Sequence, residues 1–139
     1  MQLDLTGLQK GVTSLNRALE VADPDVLERY DPAIGEVMKA GVIQNFEFTY
    51  ELCWKFIRRW LKENYSPEIT DGVSRRELFR MAAENLLIED VDRWMSYHDA
   101  RNRSSHTYQP EIAEEVFRTA FDFARDAARL YQVLEERND

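Results

Sequence analysis

Apolar residues recur at three- and four-residue steps along most of the chain, which is the spacing of one face of an α-helix. The pattern predicts five helices: Leu3 to about Val21, Ile34 or Gly41 to Asn64, Ser74 to Asn85, Ile88 to about Ser104, and Pro110 to Glu136. A short helical piece is expected at Val26–Tyr30, between two Asp-Pro breaks. Strand patterns are missing from the sequence, so we predict one all-α domain over residues 1–139, an antiparallel up-and-down bundle.

The second helix should lie at the centre of this bundle. Its polar residues Gln44, Glu47, Glu51, Lys55, Arg58 and Lys62 fall on one helical face and leave a wide apolar arc. Large apolar residues at helical spacing predict a buried core that contains Phe46, Trp54, Ile57, Leu61, Trp94, Phe117 and Phe123. Trp60 is also expected to pack in the core rather than to stack on a base.

Composition narrows the classes of function. The 139 residues carry a formal net charge of −8, which argues against general coating of RNA or DNA and leaves room only for a local basic site. The sequence has no apolar run long enough to predict a membrane span. Its first twelve residues lack the basic and apolar regions of a secretion signal. The single cysteine, Cys53, cannot form an internal disulfide, so we expect a reducing, cytoplasmic location.

One polar octet, residues 101–108, concentrates the candidate chemistry. It contains Arg101, Asn102, Arg103, His106 and Tyr108, and it crosses the predicted end of one helix and the start of the next. Arginine binds phosphate oxygens and histidine exchanges protons near neutral pH, so the pair is a minimal set for metal-free cleavage of RNA through its own 2′-hydroxyl. The structural alternative is that the arginines pair with helix carboxylates and the imidazole caps a helix end.

Two carboxylates one turn apart on the second helix could support this octet. Glu47 and Glu51 have the i,i+4 spacing of a metal-binding pair, but no Glu-x-x-His motif accompanies them, so neither a metal nor a cofactor is expected. Either Glu51 pairs with Lys55, or one of the two carboxylates reaches Arg101 and orients it. Tyr108 is either a cap over the helix junction or an exposed hydroxyl open to modification.

Three segments of the chain resemble the nucleotidyltransferase substrate-binding protein family, which belongs with the helical HEPN domains. They are Val42–Lys55, the pair Ser74–Glu77 and Leu86–Ile88, and Ala100–Asn102 with His106–Tyr108. The resemblance implies a HEPN-like bundle, similar to the helical domain of kanamycin nucleotidyltransferase. It also implies a partner, a minimal (MNT-type) nucleotidyltransferase.

In related HEPN toxins the motif R-x-x-x-x-H-x-Y is the ribonuclease site. By resemblance, Arg101 and His106 are catalytic here, Asn102, Arg103 and Tyr108 contact substrate, and Glu47 and Glu51 support them. The resemblance further implies a homodimer in which the two motifs share a cleft, and an MNT antitoxin that nucleotidylates Tyr108. Gln109 departs from the family's frequent acidic helix cap.

Two functions therefore stand as predictions. The first is a HEPN-type toxin, a metal-independent ribonuclease that its MNT partner inhibits. The second is a non-catalytic nucleotide- or substrate-binding subunit of a two-component nucleotidyltransferase, which the acidic net charge favours. A purely structural dimer would leave the polar octet unexplained.

Overall fold

A computed structural model describes residues 2–138, and its regular secondary structure in that range is all helical, with no strand. The helices are α1 (Thr6–Val21), α2 (Pro24–Leu27), α3 (Pro32–Asn64), α4 (Arg75–Glu84), α5 (Val91–Arg103) and α6 (Pro110–Glu136), and a 3₁₀ turn (Ser104–His106) follows α5. The prediction of an all-α bundle is confirmed. None of the helices within residues 2–138 combines the length and apolarity that crossing a membrane requires.

Capping residues account for the helix starts that the apolar pattern misplaced. The side chain of Asp90 accepts a hydrogen bond from Arg93 N, so α5 begins at Val91 and not at Ile88. Asp31 caps α3 in the same way and Pro32 is its first residue, which sets a start earlier than predicted. The short piece is α2, which Asp23 caps, and it lies earlier than Val26–Tyr30. Helix α1 also starts later than predicted, at Thr6 rather than at Leu3, but its N-terminus has no side-chain cap among residues 2–138.

Each long helix runs antiparallel to the one before it. Gly11 of α1 lies against Thr49 of α3, whose hydroxyl donates to the Gly11 carbonyl at 3.1 Å, while Ser14 bonds Asn45 farther back along α3. Helices α5 and α6 pair in the same opposed sense, through Arg103–Glu115 at one end and Arg93–Asp126 at the other. The bundle is therefore up-and-down, as predicted.

The core is organised around Phe123 of α6. Four aromatic rings from α3 and α5 surround it, with ring centroids 5.1 Å away at Phe46, 5.2 Å at Tyr97, 5.9 Å at Trp94 and 6.2 Å at Tyr50. Such edge-to-face pairs add to the free energy gained from burying apolar area. The other predicted core residues are buried too, with two exceptions, Trp54 and Trp60.

Trp54 is only half-buried. Its indole N–H donates to Glu51 Oε2 at 3.0 Å, and this polar contact keeps the ring at the edge of the bundle. Trp60 is also only half-buried. Helical spacing placed both rings on the apolar arc, but that arc is wider than the surface that the neighbouring helices cover.

Helix α4 ends in a Schellman motif with an unusual residue in it. Leu87 N donates to Ala82 O and Leu86 N donates to Ala83 O, which places Leu86 at the left-handed position with φ of 60°. Glycine normally occupies this position, because a side chain there costs about 1–2 kcal/mol. Leu86 is 73% exposed, so its side chain gains little by packing.

We predict that Leu86→Gly raises the free energy of unfolding by about 0.5–1 kcal/mol, because removing the strain outweighs the extra freedom of glycine in the unfolded chain. Urea denaturation followed by circular dichroism measures the change. Leu86→Ala is the matched control: it removes the same exposed side chain, keeps the strain, and should show no gain. Equal stability of the two variants would contradict this account.

Candidate functional site

Arg101, in the last turn of α5, is held by two carboxylates of α3. Its Nη1 donates to Glu47 Oε2 at 2.9 Å, and its Nε lies 3.4 Å from Glu51 Oε1, an ion-pair distance without hydrogen-bond geometry. The side chain is 32% exposed. Nη2 makes no hydrogen bond to any residue that the structure describes, so this end of the guanidinium is available to a phosphate.

The buried hydroxyl of Ser104 closes this arrangement. It accepts from Arg101 Nη1 at 3.2 Å, and its own proton faces both Glu47 Oε2 at 2.6 Å and the Arg101 carbonyl at 2.7 Å. A hydroxyl carries one proton, so the two acceptors share it. Ser104 therefore links the end of α5 to α3 and limits the rotation of the arginine beside it.

Both of the predicted carboxylates, rather than one, reach Arg101. Lys55 forms no ion pair with Glu51 in the described part of the chain, and its ammonium instead lies 5.7 Å from the Trp54 ring centroid. Glu47 and Glu51 follow the buried residues Phe46 and Tyr50 directly in sequence. Core packing of those two rings turns the carboxylates toward α5.

Apart from Ser104, the other polar residues of the octet do not form hydrogen bonds with the Arg101 side chain. Arg103 points to the opposite side of α5, where its Nη1 pairs with Glu115 of α6 at 2.6 Å. Asn102 lies beside His98, with 3.4 Å between its amide nitrogen and the imidazole Nε2. Successive residues of a helix are about 100° apart around its axis, so three consecutive polar residues face three directions.

His106 and Tyr108 lie at the exposed edge of the site. The imidazole ends the 3₁₀ turn and forms no side-chain hydrogen bond within residues 2–138. The Tyr108 ring stands edge-on to it, with centroids 6.0 Å apart, and is 77% exposed. Its hydroxyl accepts a hydrogen bond from Gln109 Nε2 at 3.4 Å. Both groups are thus accessible from solvent.

A row of hydrogen-bonded polar side chains, which the sequence did not reveal, extends from α4 to the site. Arg75 Nη1 donates to Tyr50 Oη at 3.0 Å, and Tyr50 Oη lies 2.9 Å from His98 Nδ1. The phenol oxygen accepts from arginine, and the tautomer of His98 decides whether the phenol donates to Nδ1 or accepts from it. On the other side of the ring, Nε2 lies beside the side-chain amide of Asn102.

Burial and the charge of Arg75 shift the pKa values of two side chains in this row, His98 and Tyr50. Burial, and next the charge of Arg75, lower the pKa of His98 below its usual value, which favours the neutral ring. Burial raises the pKa of Tyr50, so its phenol stays protonated. The only sequence signal for this row was that a second histidine precedes the octet, and its partners lie 23 and 48 residues away in sequence.

Two open grooves flank Glu47 on the surface of α3. One, of about 420 Å³, is lined by Gln44, Glu47, Phe48, Glu51, Leu52, Lys55 and Arg101. The other, of about 350 Å³, includes Gln44, Glu47 and Thr107. Among residues 2–138, no group of three or more His, Cys, Asp or Glu side chains is arranged to bind a metal ion. The site thus contains a partly exposed arginine, an accessible imidazole and an open groove.

The fold and the site define a helical bundle with a polar motif at the junction of its last two long helices. The chain belongs to the family described as nucleotidyltransferase substrate binding protein like, whose model matches residues 3–136.

Known proteins similar to the chain agree with this assignment. A Haemophilus influenzae protein named probable ribonuclease HepT is 30% identical over 139 residues, which is 99% of this chain and 95% of that protein. A solved Haemophilus influenzae structure, described as revealing the fold of a substrate-binding domain of a nucleotidyltransferase, superimposes with a TM-score of 0.88 at 29% identity, covering 95% of this chain and 99% of that one. A Thermus thermophilus structure gives a TM-score of 0.72 at 29% identity, covering 91% and 98%.

Proposed function

We propose that this protein is a HEPN-type, metal-independent ribonuclease and the toxin half of a toxin–antitoxin pair. The observation that carries the proposal is Arg101: two carboxylates fix its orientation, and its Nη2 is left for a phosphate at the edge of a groove. His106 follows five residues later and is exposed at the same helix junction. The probable ribonuclease among its relatives supports this reaction.

The proposed reaction is transesterification within the RNA strand. The ribose 2′-oxygen attacks the adjacent phosphorus, the 2′-O–P bond forms and the P–O5′ bond breaks, leaving a 2′,3′-cyclic phosphate and a 5′-hydroxyl. The 2′-hydroxyl loses a proton and the leaving 5′ oxygen gains one, and His106 serves this exchange. Arg101 stabilises the charge on the nonbridging oxygens, while Glu47 and Glu51 hold it in position.

We further propose a homodimer in which two such motifs share one cleft. The α3 surface beside Arg101 supports it, because Phe48 is 61% exposed there and lines the groove. Two copies of Arg101 would make the local field positive although the chain is acidic. Light scattering at micromolar concentration should give twice the chain mass of 16.4 kDa. A monomer would count against the shared cleft.

A second candidate is a non-catalytic subunit that binds nucleotide or substrate for a nucleotidyltransferase. The description of the family and the charge of −8 favour it. Both candidates predict a complex with an MNT-type nucleotidyltransferase, so the partner does not distinguish them. RNA cleavage by the isolated chain does.

We predict that Arg101→Ala and His106→Ala each lower RNA cleavage by about 10²-fold or more and abolish toxicity, with the helical circular dichroism unchanged. Arg125→Ala on α6, which removes an equal charge from an exposed position, is the matched control and should cleave normally. EDTA should not inhibit. If the purified, unmodified wild-type protein cuts no cellular RNA, the binding-subunit function replaces this one.

Tyr108 is the proposed point of control. A nucleotidyl group on its exposed hydroxyl would add a phosphate beside His106 and near Arg101, where it would compete with RNA and repel it. We predict that incubation with the MNT partner and ATP raises the intact mass by whole nucleotidyl units on Tyr108. Tyr30 and Tyr65, which are also exposed, are internal controls and should stay unmodified. An unchanged mass, or modification of Tyr108→Phe, would contradict the assignment.

A further inference from the structure

Three cations surround the half-buried ring of Trp54. The guanidinium of Arg75, the first residue of α4, lies 3.8 Å from the ring centroid, and that of Arg58 on α3 lies 5.0 Å away. The ammonium of Lys55 is 5.7 Å from the same point. We call Lys55, Arg58 and Arg75 the Trp54 cation cluster. Cation–π attraction accounts for each contact singly, but the three like charges repel one another.

No member of this cluster forms an ion pair with a carboxylate of the described residues. Within residues 2–138, none of its three members has a carboxylate oxygen within 4.0 Å, whereas Arg76 and Arg80 on the same helix as Arg75 pair with Asp92 and Glu77. The chain has 26 acidic and 18 basic residues, so acidic partners are in excess. Three unpaired cations in one place therefore form a positive patch on an acidic protein, and such a patch attracts an external anion.

Contacts with aromatic side chains fix the direction of one member of this cluster, Arg75. Arg75 stacks on Trp54 and donates from Nη1 to Tyr50 Oη, and Trp54 in turn donates to Glu51. Aromatic groups thus fix the arginine without neutralising it. A cation whose direction is fixed before binding loses less conformational freedom when a phosphate arrives.

The cluster is continuous with the Arg101 site. Lys55 and Arg101 line the same groove of about 420 Å³. Glu51 bonds Trp54 at one end and pairs with Arg101 at the other. A strand whose phosphate lies on Arg101 can therefore follow the groove to Lys55 and the rest of the cluster.

We infer that the Trp54 cation cluster is a phosphate-binding subsite for single-stranded RNA, beyond the phosphate that is cut at Arg101. The inference deepens the proposed ribonuclease function and rests on it. Cations already cover the Trp54 ring, so the subsite binds the backbone and does not stack a base. Binding there should be independent of sequence and should weaken with salt.

The binding test uses the double variant Lys55→Ala/Arg58→Ala, which leaves Arg75 and its bond to Tyr50 intact. Affinity for a labelled single-stranded RNA is measured at several salt concentrations, in a His106→Ala background that prevents cutting. We expect the double variant to bind at least about tenfold more weakly, and its salt slope to fall by about 0.7 for each RNA phosphate that is no longer neutralised by a cation. Arg125→Ala, one charge removed from α6, should change neither.

The cleavage test varies the length of the RNA, with His106 restored. The double variant should raise KM for a long strand about tenfold and leave kcat unchanged, because the subsite does not touch the reacting atoms. A dinucleotide, whose one phosphodiester reaches only Arg101, should be cut equally by the double variant and the wild type.

The outcomes separate this inference from the function on which it rests. If the wild type cuts long RNA and the double variant binds and cuts it equally well, the subsite is wrong and the ribonuclease stands. If RNA binding depends on the cluster but nothing is cut, the subsite stands and the ribonuclease is wrong. If RNA binding is unchanged while the complex with the nucleotidyltransferase is lost, the cluster binds an acidic protein surface and the inference is overturned.

Discussion

Aromatic packing on Phe123 fixes the positions of the polar site. The rings of Phe46, Tyr50 and Tyr97 converge on it from α3 and α5. Each is followed directly in sequence by a polar residue, and these are Glu47, Glu51 and His98. Since neighbouring helical residues have fixed relative directions, burying the three rings also sets the directions of the two carboxylates and the imidazole.

The carboxylates of Glu47 and Glu51 orient the Arg101 side chain and also reduce the positive charge of the site. Glu47 and Glu51 neutralise most of the charge that Arg101 would otherwise display. Nη2 of Arg101 is still able to donate to a phosphate. Cations without a carboxylate partner among residues 2–138 lie instead around Trp54, and one of them, Lys55, lines the same groove as Arg101.

Helix α4 makes hydrogen bonds with other parts of the bundle at both of its ends. Its first residue, Arg75, joins the cation cluster to Tyr50 and His98, while the turn that ends the helix carries the strained Leu86. Arg137, just after α6, donates to the carbonyls of Asn85 and Leu86. These bonds connect the C-terminal end of α6 to the Schellman motif of α4. Helix α4 is short, and tertiary contacts at both its ends hold it in place.

The sequence by itself determined the helices, the up-and-down order and the octet, because apolar periodicity, caps and the Arg-x-x-x-x-His-x-Tyr spacing are all local signals. Only the tertiary structure decided that both Glu47 and Glu51 reach Arg101, that Arg103 faces away, and that Trp54 lies at the surface among cations. Those facts depend on contacts between distant parts of the chain, such as Arg75 with Tyr50, and helical periodicity gives a residue's face without saying which neighbour covers it.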